Sequence, residues 1–547
     1  MPSMARLGFL SALVILCALP CARMSGEPFR MISPGDPLLE DVRFLSREAG
    51  KSILSMTPPL SRDEVRLMVG RLAGSIRSPA GTEALDRIEA ALSRRPPLTN
   101  GQFAFSVRPR AALQGRYRTD DRIPWSQSDA ERPSLLDLPL EFFFSDSVYA
   151  SATLSVRSDP WFSSEEGTRW GTNVPYQAER LDFNMPLRSF LSLGKSFWNV
   201  QIGRDRVSFG TGTTGNLGVS DTPDYYDFAR LSLFSSQFKY SLLLAQLPLD
   251  TEDLLAPGNV PPQGALSRTT QRYLYLHRFD LRFFDRLSVG IAEGLLVGNS
   301  PPELRFLNPM ALFHSHFAWR DYPSWGPTGD MAGSLITVDL DWAAMPSLAI
   351  YAQVAMNQFA TPYELERWPE DNSPNGMGWL GGVEYAASLD SWRTSVSFEA
   401  VYTDPYLYTL STPFSSFIWM RRLSELTQKD LRYAWIGHPE GRDTVLYALG
   451  AKALKGTLHA AANLSLAYKG EHGISWDWSK GAAALAQRTP SGTAEQRLRG
   501  SVDLRWQVLP FFALSSYFAA TVIHNADHVE SLTRMGVEIA LAAHLTL

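Results

Sequence analysis

Met535-Gly536-Val537-Glu538-Ile539-Ala540-Leu541-Ala542-Ala543-His544-Leu545-Thr546-Leu547 is the stretch that decides the fold. Met535, Val537, Ile539, Leu541, Ala543, Leu545 and Leu547 alternate with small or polar residues, so one face is apolar throughout. Successive side chains of a strand point to opposite faces, and a strand of this grammar can line a barrel with lipid outside and water inside. Working outward, earlier segments repeat the pattern. Leu136, Leu138, Leu140, Phe142 and Phe144 share a face, which turns Asp137 and Glu141 the other way. Val148, Ala150, Ala152, Leu154 and Val156 oppose Tyr149, Ser151, Thr153, Ser155 and Arg157. From Tyr273 to Phe283 the aromatic face carries one polar intruder, His277, while Arg278, Asp280 and Arg282 fall on the opposite face. An arginine at the lipid midplane costs about 2–4 kcal/mol, so these charges belong to a lumen, as interstrand ion pairs or as the lining of a ligand path.

The connections alternate in length. Short turns fall at Ser145-Asp146-Ser147, Gly194-Lys195, Ser235-Ser236, Asp285-Arg286, Met345-Pro346, Leu389-Asp390, Lys455-Gly456 and Leu509-Pro510. Long connections lie near 118–135, 158–180, 206–228, 248–270, 298–331, 358–376, 404–440, 469–496 and 525–532. Short periplasmic turns and long extracellular loops are the wiring of outer-membrane barrels. Eight turns and nine loops join about 18 strands, with 16 as the alternative count. The fold class is therefore an all-β transmembrane, antiparallel outer-membrane β-barrel.

A charged start with Arg6, an apolar run from Leu7 to Pro20 and polar residues to Glu27 read as a secretory signal peptide over residues 1–25. Cys17 and Cys21 are the only cysteines; Pro20 makes a poor lipobox, so lipidation at Cys21 is the minor reading. Residues 26–98 have a different grammar and are expected to form a small periplasmic α-helical bundle. Ser61-Arg62-Asp63-Glu64 has capping-box spacing ahead of Val65, Met68, Val69 and Leu72. An earlier helix carries Leu38, Leu39, Val42, Leu45 and Ile53, and a third begins after Thr82 with Leu85, Ile88 and Leu92. The bundle reads first as a docking or stabilising domain. A plug, or a contact for polysaccharide export machinery, is the sharper reading. Residues 99–547 form the barrel with its loops.

Composition excludes little by itself: 45% hydrophobic residues would suit a soluble protein, because alternation hides membrane strands from hydropathy. An aromatic content of 12% suits interfacial girdles, and a net charge of −5 argues against nucleic acid. Motifs with apparent chemistry dissolve. Gly210-Thr211-Gly212-Thr213-Thr214-Gly215 matches G-x-G-x-x-G, but no helix follows and no β-α-β grammar surrounds it. His314 and His316 lack a third ligand or a serine partner, and the loop Asp371–Gly376 lacks the glutamate that would complete a calcium loop. The expectation is a protein that is not an enzyme and has neither metal nor cofactor.

The run Ile202-Gly203-Arg204-Asp205-Arg206-Val207-Ser208-Phe209-Gly210-Thr211-Gly212, with Gly215-Asn216-Leu217 and Ser220-Asp221 after it, resembles the Wzi-like capsule assembly family. A second similarity lies in Tyr273 to Asp280, with Leu287 to Glu293 leading into Leu307-Asn308-Pro309. Phe209 and Thr211 depart from the commoner tryptophan and proline. The resemblance implies an 18-stranded outer-membrane barrel with a periplasmic helical bundle, acting as a surface lectin that holds capsular or related polysaccharide at the cell surface. It also marks Gly203, Arg204, Asp205, Arg206, Gly210, Gly212, Asp221, Arg278, Asp280, Arg282 and Asn308 as a family-motif and lumen network.

The loops carry the residue types such a role needs. Aromatic faces stack on sugar C–H surfaces and arginine forks grip carboxylates. The candidates are Trp161 and Trp170; Phe306, Trp319, Tyr322 and Trp325; Arg367 and Trp368, with Tyr363 beside them; and Trp419, Arg421, Arg422, Arg432 and Trp435. Surface polysaccharide and outer-membrane lipid are the expected partners. Substituting Trp319 or Arg421 is expected to weaken glycan retention and spare the heat-resistance of the barrel. A porin or substrate-specific diffusion channel is the competing reading.

Overall fold

The computed structural model describes residues 29–96, 98–99, 103–128, 131–158, 168–250, 254, 269–298, 301–313, 332–422 and 431–547. The stretch expected to be a signal peptide, Trp161, His314, His316, Trp319, Tyr322 and Trp325 lie outside them.

Eighteen antiparallel strands close into a transmembrane barrel. The first is broken at Arg108-Pro109 into Ala104–Val107 and Arg110–Arg118, both paired with Leu136–Ser145. The last, Thr533–Thr546, closes the wall against the first, with Leu541 opposite Gly115. All eight expected short turns are hairpins of the wall. In one of them, Phe284 and Asp285 both carry positive φ, at 52° and 62°, the backbone that a tight hairpin requires. The region near 180 is not strand as expected: a short 3-10 turn spans Ala178–Arg180, and the wall resumes only at Arg188–Lys195.

Alternation sorts the wall as the sequence suggests. Met535, Ile539, Leu541 and Leu545 are exposed on the outside, while Glu538, Ala540 and Ala542 are buried within. Among the described residues no helix is long and apolar enough to cross a membrane, so the strands do the crossing.

Three helices precede the wall: Pro37–Glu48, Arg62–Leu72 and Pro79–Leu92. Ser61 and Glu64 form the expected capping box. The third helix starts earlier than Thr82, because Ser78 caps it by accepting from the Gly81 N–H and Pro79 opens it. Ile53 belongs to no helix; Ala49 and Gly50 end the first one, and the chain continues without regular structure as far as the short strand Leu60–Ser61. The apolar stripes of the helices meet in one cluster that includes Leu45, Val65, Ala84 and Ile88 and touches Ala386 of the wall.

This bundle sits inside the hairpin end of the barrel. The Ser52 N–H donates to the Asp285 carbonyl and the Ser347 N–H to the Arg47 carbonyl, both at hairpin turns. Arg47 is fully buried between Asp341 (2.7 Å) and Glu384 (2.9 Å), and Arg43 reaches the same Glu384 at 2.8 Å. Lys239 pairs with Glu64 and Arg393 with Asp41. The Ser55 hydroxyl donates to Asp280 at 2.9 Å, and Ser33 to Asp205 at 2.7 Å. Inward charges of the wall are thus neutralised by the bundle, as well as by each other in the Arg278–Asp280–Asp339 group. These are the contacts of a bundle seated in the bore, where it acts as a plug in the geometric sense and also ties the wall together.

Candidate functional site

The long connection 206–225 does not stand outside the barrel. It folds into the lumen and meets the bundle, with the Gly210 N–H donating to the Met56 carbonyl and the Ser208 N–H to that of Pro58. Thr213 and Thr214 donate their N–H groups to the two oxygens of Glu399 on the far wall, at 2.7 and 2.9 Å. The Leu217 N–H donates to Gln353. Gly210 has φ of +135°, and a Cβ there would lie 2.0 Å from the Gln353 amide nitrogen. The glycine-rich run therefore serves close packing across a lumen and not a phosphate. Beside it a cavity of about 420 Å³ remains between the bundle and the wall, lined in part by Glu40, Arg393, Lys452, His459 and Asn463.

The motif residues divide by strand parity. Asp205, Arg278, Asp280 and Arg282 face inward with Gly203, and Arg206 pairs with Asp221 at 3.1 Å. Arg204 is not in the lumen. It faces outward at the loop rim, paired with Asp227 at 2.8 Å and stacked under Tyr225 at 3.9 Å. Asn308 is also outside the barrel, where its side chain accepts from the Met310 N–H.

Several loop candidates prove to be packing groups. Arg421 is fully buried, donating to Asp224 at 2.6 Å and to Asp182. Burial opposes its charge, but these two carboxylates outweigh burial and raise its pKa further. Trp419 is buried against Tyr225 in an edge-on contact at 5.5 Å, and Trp435 is buried against Tyr408. Phe306 is 1% exposed and lies on the outer wall, against Tyr275. Trp170 is 74% exposed but shares the outward face with Tyr117, 4.5 Å away, in the position of a girdle residue. Arg422 and Arg432 lie near Asp250 and Asp224 at 3.5 and 3.4 Å.

One cluster keeps its aromatic faces open. The loop helix Pro362–Arg367 is capped by Thr361, whose hydroxyl accepts from the Glu364 N–H while Glu364 accepts from the Thr361 N–H. It presents Tyr363, 64% exposed, at a right angle to Trp368, 49% exposed, with ring centres 6.1 Å apart. The Arg367 guanidinium lies 5.4 Å over the Trp368 ring. Asn372 fixes the turn by donating to the Glu364 and Trp368 carbonyls, so the Asp371–Gly376 stretch is a helix-stop turn. Two open rings and a guanidinium on one loop form a surface that a sugar ring and its carboxylate can both contact.

The loop 469–496 touches this one where the Gly481 N–H donates to the Asn372 carbonyl, and within it His472 ties the loop to itself and to Tyr406 of another. Its Nδ1 lies 2.5 Å from Asp477, its Nε2 bonds Gln487, and its ring packs on Tyr406. Burial pulls its pKa down, but the hydrogen bond and charge of Asp477 outweigh burial and hold it above the usual histidine value. Among the described residues no group of three or more histidine, cysteine, aspartate or glutamate side chains could hold a metal ion. The plug ion pairs escaped sequence reading. Parity places Asp341 and Glu384 inward, but nothing in the sequence matches them to Arg47, 294 and 337 positions away.

No protein-family model matches the chain, and no curated protein matches it. Among solved structures it is similar to Wzi, an outer-membrane protein involved in group 1 capsule assembly in Escherichia coli and a carbohydrate-binding β-barrel. The two are 15% identical, with 94% of this chain and 98% of that one covered and a TM-score of 0.56. It also matches OprD of Pseudomonas aeruginosa at 12% identity, covering 81% and 95%, with a TM-score of 0.39. OmpT of Vibrio cholerae matches at 8% identity, covering 82% and 99%, with a TM-score of 0.33. At these identities the likeness is one of fold.

Proposed function

We propose that this barrel is an outer-membrane polysaccharide-binding protein that holds capsular or related glycan at the cell surface, with the hairpin end and its helical plug in the periplasm and the long loops outside. The observation that carries the reading is the open Tyr363–Arg367–Trp368 cluster at the loop end of a barrel whose bore is crossed by an ion-paired plug and an infolded loop. Retention needs an outward-facing surface and no clear passage. The similarity to a carbohydrate-binding barrel supports the same reading. The protein does no chemistry of its own in this account. Binding of extracted surface polysaccharide to the purified protein tests it. Trp368→Ala is expected to weaken binding about tenfold, equivalent to about 1.4 kcal/mol, and equal binding by wild type and variant would remove this cluster from the account.

A diffusion channel is the second reading, and the 420 Å³ cavity beside the plug is what favours it. Planar-bilayer conductance separates the two: a steady open pore in the wild-type protein would favour the channel.

A further inference from the structure

His277 and Glu293 face each other across neighbouring strands near the middle of the wall, on its outward side. Parity leaves no doubt about the side. Their neighbours Leu274, Leu276 and Ala292 belong to the lumen cluster, whereas Tyr275, Leu295 and Val297 form a separate cluster with Phe306 and Phe313. An ionisable pair on a lipid-facing wall is costly unless it is covered. Here residues 301–313, which follow the strand Leu287–Gly298, cover it. Phe313 stacks on the His277 ring with centres 4.4 Å apart and planes inclined by 12°. Its N–H donates to Glu293 at 2.8 Å.

Irregular backbone is excluded from hydrocarbon unless its polar groups are satisfied within protein. This segment meets much of that requirement from two sources. The wall supplies acceptors: the Glu303 N–H donates to the Tyr275 hydroxyl at 2.8 Å, and Glu293 takes the Phe313 N–H. The segment's own turns supply others, from the N–H groups of Phe306, Asn308 and Ala311 to carbonyls three residues back and from the Met310 N–H to the Asn308 side chain. The most exposed large side chains of its outer face are apolar, with Leu304, Met310 and Leu312 at 85%, 80% and 71%; the polar groups there are partnered within the segment, Arg305 with Glu303 at 2.6 Å and the exposed Asn308 with the Met310 N–H.

We infer that residues 301–313 are a membrane-embedded strap, lying on the outside of the barrel with Leu304, Met310 and Leu312 among lipid acyl chains and sealing the His277–Glu293 pair from them. Its partner is the hydrocarbon of the bilayer, and no glycan contact is implied. The contacts also fix its slope. Glu303 meets Tyr275, two residues nearer the loop end than His277, which Phe313 covers, so the strap descends toward the membrane centre along its length.

Spin labels test this in the full chain refolded into phosphatidylcholine vesicles, with Cys17→Ser and Cys21→Ser as background and heat-modifiable gel mobility as the check on barrel formation. Labels at Leu304→Cys, Met310→Cys and Leu312→Cys are read for collision with oxygen and with a neutral nickel chelate. Leu541→Cys on the bare wall and Glu366→Cys on the loop helix serve as references. The strap predicts oxygen exceeding nickel at all three sites, as at Leu541→Cys, with Leu312→Cys deeper than Leu304→Cys. Nickel accessibility like that of Glu366→Cys at Met310→Cys and Leu312→Cys would overturn it.

Discussion

Arg421 sits with no exposed surface between Asp182 and Asp224, so replacing it with alanine removes the nearest cation from two buried carboxylates and leaves them the more distant Arg157 and Arg432, at 3.8 and 3.4 Å. Removing one partner of a buried ion pair costs about 3–5 kcal/mol, and these two arginines reduce that. Arg421→Ala is expected to loosen the loop layer and lower the unfolding temperature, measured by differential scanning calorimetry, contrary to the sequence-based expectation of a purely glycan-binding defect. Arg367→Ala, by contrast, removes an exposed guanidinium from above Trp368 and should weaken glycan binding with an unchanged unfolding temperature. His472 carries a pH prediction. Its pKa is raised in the fold, so its contribution is fully present below the unfolded value, about 6.5, and is lost as pH rises through the folded value. Asp477 stays charged through that window: burial raises its pKa, but His472 and Arg442 outweigh burial and hold it low. Protection factors in residues 470–494, taken against the intrinsic exchange rate at each pH, should fall as pH rises through the folded His472 value, and His472→Gln should flatten the profile; protection that is constant with pH in the wild type would contradict this. Residue type was legible in the sequence at all these positions, but accessibility was not. Arg367 and Arg421 look alike as letters, and only the fold shows that one faces solvent and the other faces two aspartates.

Elements were legible where their pattern is local. The capping box of Ser61 and Glu64 and the eight hairpin turns needed only neighbouring residues. Where an element is placed by distant contacts, the sequence is silent. The loop 206–225 looks external by length, yet Glu399 and Gln353 draw it into the lumen. The helical bundle looks like any amphipathic set, yet Arg43 and Arg47 seat it on Asp341 and Glu384. Those contacts give an element-scale prediction. Arg43→Ala with Arg47→Ala leaves Asp341 and Glu384 unpaired in the bore, which should loosen the plug and produce frequent open-channel events in planar bilayers where the wild type shows few. Equal conductance in both would mean that the ion pairs do not hold the plug.

At the scale of the molecule the barrel was the most legible feature, because a period of two repeated over eighteen strands needs no knowledge of tertiary contacts. The use of the barrel was less legible: a charged lumen serves an ion-paired core and a solute path equally well. The structure shows inward charges such as Asp341, Arg278 and Glu399 bound to the plug, to one another and to the infolded loop, and an aromatic–arginine surface left open at the other end. Retention of glycan is the central claim, and the most direct measurement is the partition of surface polysaccharide between cells and medium after deletion of the gene in the source organism, with complementation by wild type and by Trp368→Ala. The account predicts that the deletion sheds glycan into the medium, that wild type restores it to the cells, and that Trp368→Ala restores it only in part. Unchanged cell-bound glycan in the deletion strain, with altered uptake or leakage of small solutes, would contradict it.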